Sequence, residues 1–85
     1  MTIHTIKRFD REYAKLPKNV QALAEKQFTT LLKNPRHPSL HVKKMEGHLD
    51  LWEGRITIQY RFTFKIIGEV YLLRRIGKHD ILKNP

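Results

Sequence analysis

The chain has no cysteine, and that absence removes a disulfide framework, a thiolate metal site and a cysteine nucleophile together. A cysteine-free chain suits a reducing cytosol. Acidic residues are scarce: 8 Asp and Glu stand against 17 Lys and Arg, for a formal net charge of +9 and a pI near 10.2. On 85 residues this implies a surface field of several kT that favours polyanions. Nucleic acid is the first candidate partner, an anionic membrane the second and an acidic protein the third. The basic residues fall eight before position 40 and nine after it, so the charge belongs to the folded chain and not to a basic tail. No apolar run approaches the roughly 20 residues of a membrane span, and no charged-then-apolar leader opens the chain. The expectation is a soluble, unprocessed, cytoplasmic protein. Its length implies one domain over residues 1–85, close to the lower limit at which a core holds without metals or disulfides. A glycine-rich phosphate loop and a serine-centred nucleophile elbow are both missing.

What is present is concentrated between Leu51 and His79. Trp52, Ile56, Ile58, Tyr60, Phe62, Phe64 and Ile66 share one parity, whereas Glu53, Arg55, Thr57, Gln59, Arg61, Thr63 and Lys65 share the other. Side chains alternate along a strand, so one face is apolar and the other charged. A turn near Ile58 to Tyr60 pairs the two strands; a three-residue loop would set Arg55 and Arg61 on one face, and a two-residue loop would not. A second turn at Gly68-Glu69 leads to a strand apolar at both parities, which delivers Arg74, Arg75, Lys78 and His79 to the end of the sheet.

Upstream, TIHTI (2–6) reads as a short β-branched strand. Phe9, Tyr13 and Leu16 recur at helical spacing until Pro17, which suits the first position of a second helix. From Pro17 to Lys33 the apolar positions Val20, Leu23, Ala24, Gln27/Phe28, Leu31 and Leu32 trace one helical face, and Asn34-Pro35 ends it. A proline-punctuated loop then leads to a strand or strand edge at His41–Met45, Gly47 to Asp50 make a turn, and Ile81 to Pro85 are too few for another helix. The expected class is α+β: an N-terminal strand and a two-helix hairpin packed on one face of a mainly antiparallel sheet of four or five strands. The opposite face, carrying the arginines, is expected to be uncovered, basic and concave.

That face suggests RNA chemistry. In metal-free cleavage the ribose 2′-OH attacks the adjacent phosphate; the protein takes its proton, stabilises the charge on the phosphate and protonates the leaving 5′ oxygen. Arg55, Arg61 and Arg75 are candidates for the guanidinium cluster, and His79, of a residue type with a free pKa of about 6.5, for the acid. Glu53, or Lys43 if neighbouring charge depresses its pKa, are the candidate bases. Lys44, Lys65, Arg74 and Lys78 add candidate RNA contacts. His37 and His41 have ligand-like spacing, but neither a carboxylate nor a cysteine stands beside them, so they read as loop polar groups or phosphate contacts. Neither a metal nor a cofactor is expected.

Taken in order, LLKNPRHPSL, VKKMEG, WEGRI, YRFTF and LLRRIGKHDIL, with the strand, two helices and meander that contain them, resemble the RelE/ParE superfamily of toxins from type II toxin-antitoxin pairs. The resemblance covers nearly the whole chain. It implies a RelE-like fold and a ribosome-dependent mRNA endonuclease, held inactive by a cognate antitoxin protein, monomeric when free and heteromeric with the antitoxin. YoeB-like and YafQ-like branches place a C-terminal histidine where His79 stands and an arginine where Arg61 stands; YafQ-like members also match Arg75. RelE-like members place a phosphate-contacting basic residue at Arg55 and a lysine at Glu53. Lys43 replaces the Glu or His base of the YoeB-like and YafQ-like branches, and Asp80 stands where relatives often carry an aromatic after the histidine. The ParE-like branch, which binds DNA gyrase and cleaves nothing, is the rival implication, and a non-catalytic RNA-binding or ribosome-binding relative is another.

Overall fold

A computed structural model describes all residues, Met1 to Pro85. The elements follow as β1 (Thr2–Thr5), α1 (Lys7–Ala14), α2 (Lys18–Lys33), a 3₁₀ turn (Pro38–Leu40), β2 (Lys43–Lys44), β3 (Trp52–Arg55), β4 (Tyr60–Ile67), β5 (Val70–Lys78) and a second 3₁₀ turn (His79–Lys83). The five strands form one sheet in the order β1-β5-β4-β3-β2, antiparallel throughout except for β1, which runs parallel to β5. This is the α+β arrangement expected from the sequence.

The two helices cover the face that carries the even-numbered residues of β3 and β4. Phe28 of α2 meets Phe62 of β4 edge-on with ring centroids 5.2 Å apart, and Phe62 in turn stacks on Phe64 at 5.6 Å. Phe9 of α1 joins Phe28 at 6.0 Å, and Tyr71 of β5 closes the row against Phe64 at 5.7 Å. With Leu31, Leu40, Leu73 and Ile76 these rings make the core. Burial of each large apolar side chain contributes about 1.5–3 kcal/mol, which makes this row the main source of stability. Gly54 is part of it: a Cβ there would lie 2.3 Å from Phe62 Cζ, so the ring occupies the space a side chain would need.

Local signals account for the boundaries. The carbonyl of Pro17 accepts from the N–H groups of Val20 and Gln21, so proline caps α2 and helical residues begin at Lys18. In the loop after α2, His37 accepts the Ser39 N–H through Nδ1 at 3.1 Å and Leu40 is fully buried, giving the loop an apolar anchor. Gly68, at φ 58°, takes the first central position of the two-residue β4–β5 turn, where positive φ is required.

The arginine face is not bare, which corrects the expectation from the sequence. Beyond Lys78 the chain folds back across it as the 3₁₀ turn, with Ile81 buried against Gly77, where an added Cβ would sit 2.9 Å from Ile81 Cγ2. The carbonyl of Pro85 accepts from Thr63 Oγ1 at 3.2 Å, and that of Asn84 from an Arg75 guanidinium nitrogen at 2.9 Å. Five residues are too few for an α-helix but enough for one 3₁₀ turn that seats a single isoleucine.

Candidate active-site cleft

The β3–β4 register decides which cations meet. Trp52 faces Phe64, Glu53 faces Thr63, Gly54 faces Phe62 and Arg55 faces Arg61. The turn between them holds three residues, Thr57 to Gln59, closed by the Ile56 N–H donating to the Tyr60 carbonyl at 2.9 Å. Odd residues therefore face odd residues, and Arg55 and Arg61 lie side by side on the face away from the helices.

Arg61 is 92% shielded by the fold, with 8% of its surface exposed. One guanidinium nitrogen donates to the Thr57 and Ile58 carbonyls, so the side chain braces the turn that precedes its own strand. Nε and the other terminal nitrogen have no protein partner. Its pKa is held below the ordinary arginine value, first by burial and then by the like charge of Arg55, with Glu53 acting in the opposite sense. Two guanidinium groups without a carboxylate directly between them are an electrostatic cost that an incoming phosphate would relieve.

Arg61 lines an open cleft with Ile58, Gln59, Lys78, His79 and Asp80. His79 opens the C-terminal 3₁₀ turn and is exposed, and Ile58 at the rim is 80% exposed. Of the residues read from the sequence, Arg61, His79 and Lys78 are thus brought together directly. Arg55 joins them through the strand pair.

The candidate bases sit one step along the same face. Lys43 is paired with Glu53 across β2 and β3, with Nζ 3.4 Å from Oε1, but the two differ in setting: the lysine side chain is 72% exposed and the carboxylate 12%. Glu53 therefore lies inside the face, between Lys43 and Thr63, and Lys43 lies at the rim.

Arg75 has another place. Its Nε donates to Glu12 Oε1 at 3.3 Å, a terminal nitrogen donates to Glu12 Oε2, and the second terminal nitrogen holds the Asn84 carbonyl. It does not line the cleft. The same carboxylate accepts the Ile76 N–H at 3.4 Å, where β5 has run past the end of β1 and its edge lacks a strand partner. Arg74 occupies the bulge that shifts the β4–β5 register between Thr63 and Phe64, and its Nε is buried without a partner. Lys65 lies farther along the arginine face opposite Leu72, and Lys44 is exposed on β2 opposite Trp52.

Sequence reasoning missed Gln27. It lies on the apolar stripe of α2, and its side-chain nitrogen donates to the Arg55 carbonyl at 2.9 Å and to the Ser39 carbonyl at 3.2 Å. A lone amide on an otherwise apolar stripe was the available signal, because a buried polar group needs partners. His41 was read as a loop group; its Nε2 lies 3.5 Å from a terminal nitrogen of Arg55, and its Nδ1 3.3 Å from the Ser39 carbonyl. Gln27 and His41 thus hold Arg55 at backbone and side chain. No group of three or more metal-ligating side chains occurs in the structure.

No protein-family model matches the chain, and no curated protein matches it. Solved structures do. A metal-bound toxin from Helicobacter pylori is 27% identical and superposes with a TM-score of 0.80 over 94% of this chain and 96% of its own. A chain of the intact E. coli RelBE toxin-antitoxin complex is 24% identical, with a TM-score of 0.72 over 91% and 94%. A YoeB/ParE toxin from Agrobacterium tumefaciens is 14% identical, with a TM-score of 0.79 over 93% and 99%. The sheet order, the paired helices and the near-complete mutual coverage agree, and the chain has the fold of the RelE/ParE-like toxins.

Proposed function

We propose that the chain is the toxin of a type II toxin-antitoxin pair and acts as a ribosome-dependent mRNA endoribonuclease that blocks translation. The observation that carries this reading is the cleft shared by Arg61 and His79, with Arg55 directly across the strand pair from Arg61. The ribose 2′ oxygen attacks the adjacent phosphorus as its proton passes to a base, and the P–O5′ bond breaks as the 5′ oxygen takes a proton. The products are a 2′,3′-cyclic phosphate and a 5′-hydroxyl. His79 donates the proton to the leaving oxygen, and Arg61 and Arg55 hold the phosphate oxygens. Glu53 and Lys43 remain the two bases within the same face. Arg75, tied to Glu12, holds the C-terminal turn in place, and Lys44, Lys65, Lys78 and Arg74 supply positive charge for RNA.

Several of the structural relatives are toxins, and two were solved as toxin-antitoxin complexes, which supports a cognate antitoxin as partner here. An acidic or amphipathic segment folding onto a +9 protein would neutralise its charge. Primer extension on mRNA translated by ribosomes in the presence of purified protein tests the activity. Cuts at A-site positions, abolished by His79→Ala and by Arg61→Ala, are expected. Intact mRNA together with inhibited gyrase supercoiling would replace this reading with that of a ParE-like gyrase poison.

A further inference from the structure

A second groove lies at the β2 edge of the sheet, on the side that Trp52 shares with the helices. Arg36, His37, His41 and Trp52 line it with Pro35 and Pro38, and no acidic residue contributes to it. The Arg36 side chain makes no ion pair or hydrogen bond within the protein; only its backbone N–H is held, by Asn34. The two imidazoles are fixed by Ser39 in opposite senses. The Ser39 N–H donates to His37 Nδ1, so the proton of the neutral His37 ring sits on Nε2, a donor with no protein partner. His41 Nδ1 donates to the Ser39 carbonyl, which leaves its Nε2 to accept from Arg55. His37 thus offers a donor to the groove while His41 is spent on Arg55.

We propose that this groove is a second nucleotide subsite for single-stranded RNA, with a base against Trp52 and the prolines and its phosphate on Arg36 and His37 Nε2. The proposal rests on the nuclease reading in taking RNA as the ligand. Cationic groups beside an aromatic face are the combination that holds unpaired nucleotides. A solvated loop would carry such residues without direction; here the ring orientation is fixed and the lining lacks a counter-charge. His41 touches Arg55, Arg55 faces Arg61, and Arg61 lines the cleft of His79.

Trp52 is the only tryptophan, so its fluorescence reports on the groove alone. A short oligoadenylate is titrated into the protein while Trp52 emission is followed, with anisotropy of the labelled RNA as the independent measure of binding. Saturable quenching is expected. Arg36→Gln should weaken affinity by roughly tenfold and lower the salt slope by about one phosphate contact. His37→Gln should weaken it as well, and in cleavage both variants should raise KM while leaving kcat unchanged. RNA that binds by anisotropy without changing Trp52 emission, with Arg36→Gln retaining wild-type affinity and salt slope, overturns the subsite. Quenching that Arg36→Gln weakens, in a protein that cuts no RNA, upholds the subsite and defeats the nuclease reading instead.

Discussion

Gly77→Ala puts one methyl group under the turn that carries His79. The added Cβ would stand 2.9 Å from Ile81 Cγ2, and carbon atoms pack at about 3.5–4.0 Å, so Ile81 must retreat by roughly 0.6–1.1 Å. It has little room, being buried with Gly77 on one side and the C-terminal strap closing around it. Overpacking of this size costs about 1–3 kcal/mol. His79 lies two residues before Ile81 in the same 3₁₀ turn, and a displacement of about 1 Å in a catalytic group lowers rates by roughly 100-fold. Urea unfolding and ribosome-dependent cleavage of Gly77→Ala measure both effects. The paired variant Gly77→Ala with Ile81→Ala removes the methyl that clashes, so its destabilisation should fall at least 1 kcal/mol short of the sum of the single changes. Wild-type stability and cleavage in Gly77→Ala, or strict additivity in the double variant, would refute the reasoning.

Gly54→Ala sets a Cβ 2.3 Å from the ring of Phe62, which has no exposed surface and no direction of retreat; about 3 kcal/mol or more of destabilisation is expected in urea, and less than 1 kcal/mol would show that the ring moves freely. Glu12→Gln removes the carboxylate charge from Arg75 while preserving shape; faster amide exchange at Asn84, whose N–H donates to the Ile81 carbonyl, is expected with slower cleavage, and unchanged exchange would detach the strap from α1. The phenol of Tyr13 is pushed above its ordinary pKa of about 10, first by burial and then by its hydrogen bond to Glu25 and that residue's charge. A raised folded-state pKa favours the neutral phenol, so this stabilisation is complete below the unfolded value and lost as pH rises through the folded one. The urea midpoint should therefore fall above about pH 10 in the wild type more steeply than in Tyr13→Phe, and parallel curves would contradict the assignment.

Local features made most of the fold legible. The two-residue alternation locates the core face at Trp52, Ile56, Phe62 and Phe64, whereas Ile58, in the connecting turn, and Ile66, near the end of β4, are exposed; Asn34-Pro35 ends α2 by backbone sterics. The meeting of Arg55 and Arg61 rested on one unknown, the length of their connecting turn, and the three residues Thr57 to Gln59 resolved it. Contacts between distant parts of the chain were not legible. Arg75 carries no mark that its partner is Glu12, 63 residues away, so it read as a free cation of the sheet face. Ile81 and the carbonyls of Asn84 and Pro85 cover that face through a single turn, which has too little periodicity to show in sequence. Gln27 shows the intermediate case: its position on an apolar stripe marks a satisfied polar group, but the Arg55 carbonyl it satisfies emerges only in three dimensions.

The central claim is that His79 protonates the leaving oxygen in a metal-free cleavage, and the chemical ends of the cut RNA test it most directly. Ribosome-bound mRNA is incubated briefly with wild-type protein or His79→Ala at the magnesium concentration the ribosome needs, with transition metals chelated, and the ends are mapped. The account predicts 2′,3′-cyclic phosphate and 5′-hydroxyl ends from the wild type and a loss of rate of 100-fold or more in His79→Ala, in keeping with the roughly 10²–10⁴-fold value of general acid–base catalysis. Ends bearing a 5′-phosphate, or a His79→Ala protein that cuts at the wild-type rate, would contradict it.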